Sequence, residues 1–447
     1  MELKRKIYDR LLKWKKEIQG KTALLIVGAR RVGKSYIVRK FAEKEYRSFI
    51  LIDFSSTPKN ILESFENDRE NLPLFFQKLT LAYQTDLHER NSLIIFDEVQ
   101  LFPIARQFIK QLVEDGRYDY IETGSLLSIR YHVENILLPS EEEEIEMLPL
   151  DFEEFLWAKG NTFSIDLLRN FFEKKQALGP AAHRTMMNEF RCYMLVGGMP
   201  QAVLEYLETN NFERTDRIKR SILTLYRNDI AKFAKTHKGK VLSIFDEIPT
   251  QLAKREKKFK FSSLDKDARY RDYEDAFVWL AEAKMVNPCF GATEPTVGLR
   301  MNYERTTIKC YMADTGLLIT HAFDENQATK NDFYKAVLFG KVGTNEGMFA
   351  ENIVAQMLAA RGKKLYFYSR TDNADHSNTM EIDFLISSGG KINPVEVKSS
   401  AYITHRSLDK FKAKFGKRVG TRYLLYTKDL KVEEDMVYLP LYMAMFL

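Results

Sequence analysis

With 447 residues and a formal charge of +6, the chain is long enough for two to four domains, and its charge allows a basic patch without requiring one. A hydrophobic content of 45% with 29% charged residues excludes a disordered protein. Cys192, Cys289 and Cys310 lie too far apart for a disulfide framework or a zinc ligand set, so a reducing cytoplasm is the expected compartment.

Met1–Gln19 is rich in Lys and Arg and lacks the apolar core of a secretory signal. Its apolar positions Ile7, Leu11, Trp14 and Ile18 recur at helical spacing and predict an amphipathic helix packed on the protein. No apolar run approaches the roughly 20 residues that span a bilayer, so no membrane partner is expected.

From residue 22 onward, short apolar runs alternate with helical stretches. Thr22–Val27, Ser48–Phe54, Leu93–Phe96 and Tyr120–Thr123 read as strands of a parallel sheet covered on both faces. The first leads into Gly28-Ala29-Arg30-Arg31-Val32-Gly33-Lys34-Ser35, the pattern GxxxxGKS between a strand and a helix. Glycines let such a loop aim backbone N–H groups at phosphates, and the next helix offers its positive end. Lys34 would reach the β- and γ-phosphates, Ser35 would ligate Mg2+, and Tyr36 closes the expected ATP-binding segment. Arg30 and Arg31 belong to that ATP-binding segment and could touch phosphates or a nucleic acid, with solvated charge the favoured reading of their side chains. Leu93–Glu98 ends a buried strand in two carboxylates: Asp97 for the magnesium shell and Glu98 to polarise the attacking water. Thr123 and Ser125 stand where a γ-phosphate sensor is expected.

The acidic run Glu141–Glu144 precedes a new helical pattern at Asp151–Lys159, and a first domain is therefore placed at residues 1–150. Residues 151–335 read as mostly helical, broken at Gly197-Gly198 and Pro200. Val241–Ala253, Phe261–Leu264 and Tyr273–Val286, followed by strand-like Lys309–Met312, suggest a winged-helix module. The basic stretch Ala253–Phe261 suits either phosphate contact or a solvated connection, and Glu274, Asp275 and Glu282 argue against base reading in a DNA groove.

Residues 336–447 open with the helix Glu346–Arg361, then strands Lys364–Ser369, Glu381–Ser387 and Pro394–Lys398, a helix, and strand Arg422–Tyr426. Glu396 and Lys398 share a strand face; with Asp383 on the neighbouring strand and Glu351 on the helix, they form a candidate site for metal-assisted phosphodiester hydrolysis. Here Glu351, Asp383 and Glu396 are the metal ligands, and Glu396 and Lys398 the catalytic pair. The order helix Glu, strand Asp, Glu-x-Lys resembles the PD-(D/E)xK nuclease pattern. Alternating Glu-Val-Lys is equally what a half-exposed strand looks like.

The whole chain resembles a family of prokaryotic AAA-type ATPases with a restriction-endonuclease-like C-terminal domain. The likeness rests on residues 28–35, Phe96-Asp97-Glu98, Thr123-Gly124-Ser125, the segment Pro149–Phe155, Gly197–Pro200, Tyr226–Ile230, Asp314–Leu317 and Glu396–Lys398, in that order. Leu138-Pro139-Ser140 stands where many members carry Gly-Arg. The resemblance implies an α/β architecture: a P-loop AAA-type parallel-sheet domain, a helical and winged-helix middle and a nuclease-like α/β domain. It implies ATP and Mg2+ as ligands, action on DNA or on a protein partner, and a possible homo-oligomer. The competing expectation is a nucleotide-switched interaction protein whose nuclease-like domain does not cut.

Overall fold

The computed structural model describes residues 2–124, 141–234, 237–254, 256–324, 330–338, 346–371, 379–400 and 404–447. Ser125 and Leu138-Pro139-Ser140 lie outside the described residues. The chain divides into two compact units, Glu2–Leu148 and Pro149–Leu447.

The first unit is built on five parallel strands in the order β2-β3-β4-β1-β5. They are β1 (Ala23–Val27), β2 (Ser48–Asp53), β3 (Ser92–Asp97), β4 (Asp119–Gly124) and β5 (Glu142–Glu146). Every residue of β1, β3 and β4 is buried, which is why these runs read as continuous apolar segments. The acidic run that precedes the boundary placed at residue 150 is an edge strand the sequence reading did not assign, pairing Glu142–Glu146 with Ala23–Val27. Glutamate is a poor strand former, but an exposed edge tolerates charge and is guarded by it, and only Ile145 of the strand turns fully inward.

Helix α1 (Ile7–Ile18) buries Ile7, Leu11 and Trp14 as its periodicity requires. Helix α2 (Lys34–Glu45) follows the glycine loop directly. The core on one side of the sheet is aromatic, with Phe54, Phe65, Phe75, Phe96 and Phe108 meeting mostly edge to face at centroid distances of 5.0 to 6.1 Å.

The second unit begins helical. Asp151 caps the helix Phe152–Ala158 in a reciprocal capping box with Glu154. The helices Pro180–Val196 and Pro200–Thr209 are separated by Gly197 at φ 82°, and Pro200 opens the second of them, where a missing N–H costs nothing. Three short strings far apart in sequence meet here. Leu150 N donates to Gly198 O at 2.7 Å, and the Asp314 carboxylate accepts from Gly198 N and Leu317 N at 2.6 and 2.8 Å. A Cβ at Gly198 would lie 2.2 Å from Leu150 O, and one at Gly316 would lie 2.5 Å from Gly197 Cα. Close backbone crossing explains the glycines.

The helices Lys238–Ala253 and Tyr270–Glu282 precede an antiparallel pair, β6 (Val286–Ala292) and β7 (Tyr303–Met312). The helix expected over Tyr273–Val286 thus ends at Glu282, and Val286 opens β6. β6 also pairs in parallel with β8 (Leu365–Arg370), which pairs with β9 (Met380–Ile382), giving the order β7-β6-β8-β9. A sheet therefore joins strands from before and after residue 336.

The last sheet has the order β10-β11-β12-β14-β13, from β10 (Phe384–Ser388), β11 (Lys391–Val397), β12 (Arg422–Tyr426), β13 (Lys431–Glu433) and β14 (Met436–Pro440). The single strand expected over Glu381–Ser387 is two, broken at Asp383, whose Oδ2 accepts from Val397 N at 2.8 Å. Among the described residues, no helix is long and apolar enough to cross a membrane.

Candidate nucleotide site

The loop after β1 ends at Gly33, which caps α2 at φ 96°, and Arg31 is also left-handed at φ 71°. Gly28 packs beneath the backbone following β5: a Cβ there would lie 2.2 Å from Met147 O. Arg5 was not anticipated. It is buried and donates to Val32 O at 3.1 Å and to Leu148 O at 2.6 Å, tying the N-terminal segment to the loop. Its place in a run of surface-like Lys and Arg gave no signal.

Lys34 is buried, with Nζ 2.9 Å from Gly28 O and 3.1 Å from Ala29 O, so its ammonium lies inside the loop's curve. Ser35 Oγ donates to Asp97 Oδ1 at 2.8 Å, and Thr123 Oγ1 donates to the same oxygen. Three residues from α2, β3 and β4 thus converge, since β4 lies between β1 and β3 in the sheet. Glu98 follows at φ 53°, its N–H on Asp97 Oδ1 at 3.2 Å and its carboxylate held by Gln100 Nε2. Val32 and Ala29 are buried, while Arg30, Arg31 and Tyr36 are exposed at the loop and helix start. Hard oxygens gathered at the ends of two buried strands, beside a helix N-terminus, suit a magnesium–triphosphate pair.

The C-terminal carboxylates are arranged differently. Lys309 of β7 is buried completely, with Nζ 2.7 Å from Glu381, 3.8 Å from Asp383 and 3.9 Å from Glu351. Lys257 pairs with the other oxygen of Glu351, and Tyr311 OH donates to Glu351 Oε2 at 2.9 Å. Burial alone would lower the Lys309 pKa, but the three carboxylates outweigh it and hold it well above the ordinary lysine value. Burial likewise pushes Glu351 up, yet Lys309 and Lys257 bring it below the usual range. Asp383 is pushed up to about 7 by burial and then by the Glu351 charge. Glu396 pairs instead with Lys398, and burial raises its pKa. Glu351 and Asp383 are thus brought together around a lysine, with Glu396 outside that group. Among the described residues, no group of three His, Cys, Asp or Glu side chains is placed to hold a metal ion. An ammonium stands at the centre of the carboxylates, so a resident metal does not fit this arrangement. The signal was a lone lysine in the otherwise apolar Ile308–Met312 run.

Residues 20–156 match the family model described as an AAA domain, and the first unit is a P-loop domain of AAA type. Residues 187–328 and 346–443 match two models described as domains of unknown function, DUF8612 and DUF4143. No curated protein matches the chain. Among solved structures, the chain is similar to the Walker-type ATPase PABY2304 of Pyrococcus abyssi, at 17% identity and TM-score 0.45, over 72% of this chain and 96% of that one. It is also similar to the Aeropyrum pernix Orc1 protein in complex with DNA, at 12% identity and TM-score 0.28, over 73% and 93% of the two chains. A third likeness is to C. elegans PCH-2, at 12% identity and TM-score 0.27, over 47% and 65%.

Proposed function

We propose that the first unit binds and hydrolyses ATP. The observation that carries this is the meeting of Ser35, Asp97 and Thr123 on one carboxylate oxygen, beside the buried Lys34. Lys34 would exchange its loop carbonyls for the β- and γ-phosphates, and Ser35 and Asp97 would hold Mg2+. When bound, Mg2+ supplies charge neutralisation on the phosphate oxygens. Glu98 orients the attacking water and accepts its proton, with Gln100 fixing the carboxylate until substrate arrives. Thr123, and Ser125 on the same proposal, report the γ-phosphate. Steady-state phosphate release with calorimetry tests the assignment. Lys34→Ala is expected to lose both binding and turnover, and Glu98→Gln to keep binding while turnover falls on the order of 10²-fold. Full turnover by both variants would end the proposal.

For the second unit, we infer a binding scaffold whose conformation the nucleotide controls, rather than a metal-dependent nuclease acting on DNA. The lysine at the centre of Glu351, Glu381 and Asp383 favours this reading. The organisation into residues 1–150, 151–335 and 336–447, with a winged helix in the middle, remains part of the proposal; its two helices and the β6–β7 pair support it. A homo-oligomer, in which a neighbouring copy lends an arginine to the ATP site, and a cytoplasmic location that suits three buried free cysteines complete it.

A further inference from the structure

We propose that the second unit binds the phosphodiester backbone of a single-stranded nucleic acid in a basic groove between the helix Pro180–Val196 and the β12–β13 turn. This deepens the scaffold reading above by naming what the scaffold holds. The groove has a volume of about 620 Å³. One wall is a single helical face, Arg184, Asn188 and Arg191, spaced by four and three residues. The other wall is the turn after β12, which contributes Lys428 and Lys431.

Four basic side chains therefore face one carboxylate, Asp429, and that acid is already engaged: it accepts from Leu178 N, Gly179 N and Leu430 N at 3.1, 2.8 and 2.8 Å. The turn is held rigidly against the helix. His183 bridges from Nδ1 to Tyr442 OH at 2.9 Å and from Nε2 to Thr427 O at 3.1 Å. Lys431 pairs with Glu433, whereas Arg184, Arg191 and Lys428 make no ion pair with another described residue. Some arginines of this unit sit on carboxylates, Arg220 on Asp216 and Asp324 and Arg422 on Asp409 and Asp435. Arg184, Arg191 and Lys428 gathered around one engaged carboxylate repel one another, and a polyanion would relieve that repulsion.

The geometry selects the ligand class. Arg184 and Arg191 are two helical turns apart, about 10 Å along the axis. Spread along one helix face, they suit successive phosphates of a strand, and guanidinium groups hold phosphate oxygens in pairs. Of the apolar lining residues Met187, Tyr426 and Leu430 are buried and only Pro180 is exposed, so the groove offers little of the open apolar surface that anchors a peptide. A groove of this size takes one strand laid along it and not the width of a duplex.

The test is fluorescence anisotropy of full-length protein with a labelled 20-nucleotide single strand, as DNA and as RNA, between 50 and 200 mM salt. With four phosphate contacts the logarithmic salt slope is about −2.8, or roughly 50-fold weaker binding across that range. Arg184→Gln with Arg191→Gln should weaken binding at least about tenfold and shrink the slope by about 1.4, with ATP binding unchanged. Lys254→Gln with Lys260→Gln, in the basic stretch before Phe261, should change neither. Loss of binding in that second pair with none in the first would overturn the assignment. So would no binding at 50 mM salt, or displacement of the strand by polyglutamate at equal charge concentration, which would point to an acidic protein segment. Failure of the ATPase proposal would show separately, in Lys34→Ala.

Discussion

Replacing Lys309 by Met keeps an unbranched apolar stem one heavy atom shorter and removes the ammonium. In the wild type, the ammonium lies 2.7 Å from Glu381, a contact worth about 6 kcal/mol at an effective dielectric of about 20. Glu381 is a third exposed, so solvent reduces that share, and the desolvation of a fully buried ammonium takes back much of the rest. The decisive quantity is what the variant leaves behind: Glu351 and Asp383, both buried, with one cation fewer between them. Breaking a buried ion pair from one side costs about 3–5 kcal/mol. With a urea slope of about 2–3 kcal/mol/M, the midpoint of the second unit should fall by about 1–2.5 M at pH 8. Trp279, buried in the helix Tyr270–Glu282, provides the fluorescence signal. At pH 5 the loss should shrink, because unpaired buried carboxyls have raised pKa values and become neutral there. A midpoint at pH 8 unchanged within the equivalent of about 0.5 kcal/mol would refute the reasoning. So would a wild type strongly stabilised by Mn2+, because a metal would then be displacing the lysine.

Other perturbations read the same physics elsewhere. Asp383→Asn keeps an acceptor for Val397 N but removes a carboxyl whose folded pKa is raised to about 7. Because that pKa is raised, its contribution is fully present below the unfolded value near 4 and is lost as pH rises towards 7. The variant's melting temperature relative to wild type should therefore climb between about pH 4 and 7 and then level off, and a flat difference would contradict the assignment. Ser35→Ala should leave the fold intact and weaken magnesium-dependent nucleotide binding at least about tenfold, measured by calorimetry with and without the metal. Gly198→Ala forces a Cβ to 2.2 Å from Leu150 O and should cost more than about 3 kcal/mol, whereas Gly160→Ala, with open space around it, should cost about 1 kcal/mol. Equal denaturation midpoints for the two glycine variants would show that the crossing is looser than described.

The parallel sheet and its nucleotide loop were legible because both depend on local signals. A strand buried on two faces must be apolar throughout, and a phosphate-binding turn must carry glycine and lysine at fixed spacing. Ser92–Asp97 and Asp119–Gly124 each extend the predicted strand by one residue at either end. What stayed hidden depends on contacts far apart in sequence. β5 is a strand because β1 offers it an edge, not because Glu-Glu-Glu-Ile-Glu favours extension. Arg5 earns its place from two carbonyls, one 27 and one 143 residues away. The break at Asp383 follows from a hydrogen bond to Val397, on a strand that the sequence places only as a neighbour.

Lys309 shows why a site pattern and a site differ. Helix Glu, strand Asp and Glu-x-Lys specify which acids approach one another, and Glu351 and Asp383 do meet as the spacing predicts. The pattern is silent about a cation arriving from β7, a strand that lies outside it in sequence but beside it in space. Two buried carboxylates need positive charge, and either a metal or a lysine supplies it. A metal is exchangeable and leaves coordination positions for water and substrate, whereas an ammonium tethered to a strand is permanent and leaves none. Here the same acids that would make a hydrolytic centre become a fixed joint between β7, β9 and the helix Glu346–Ala360.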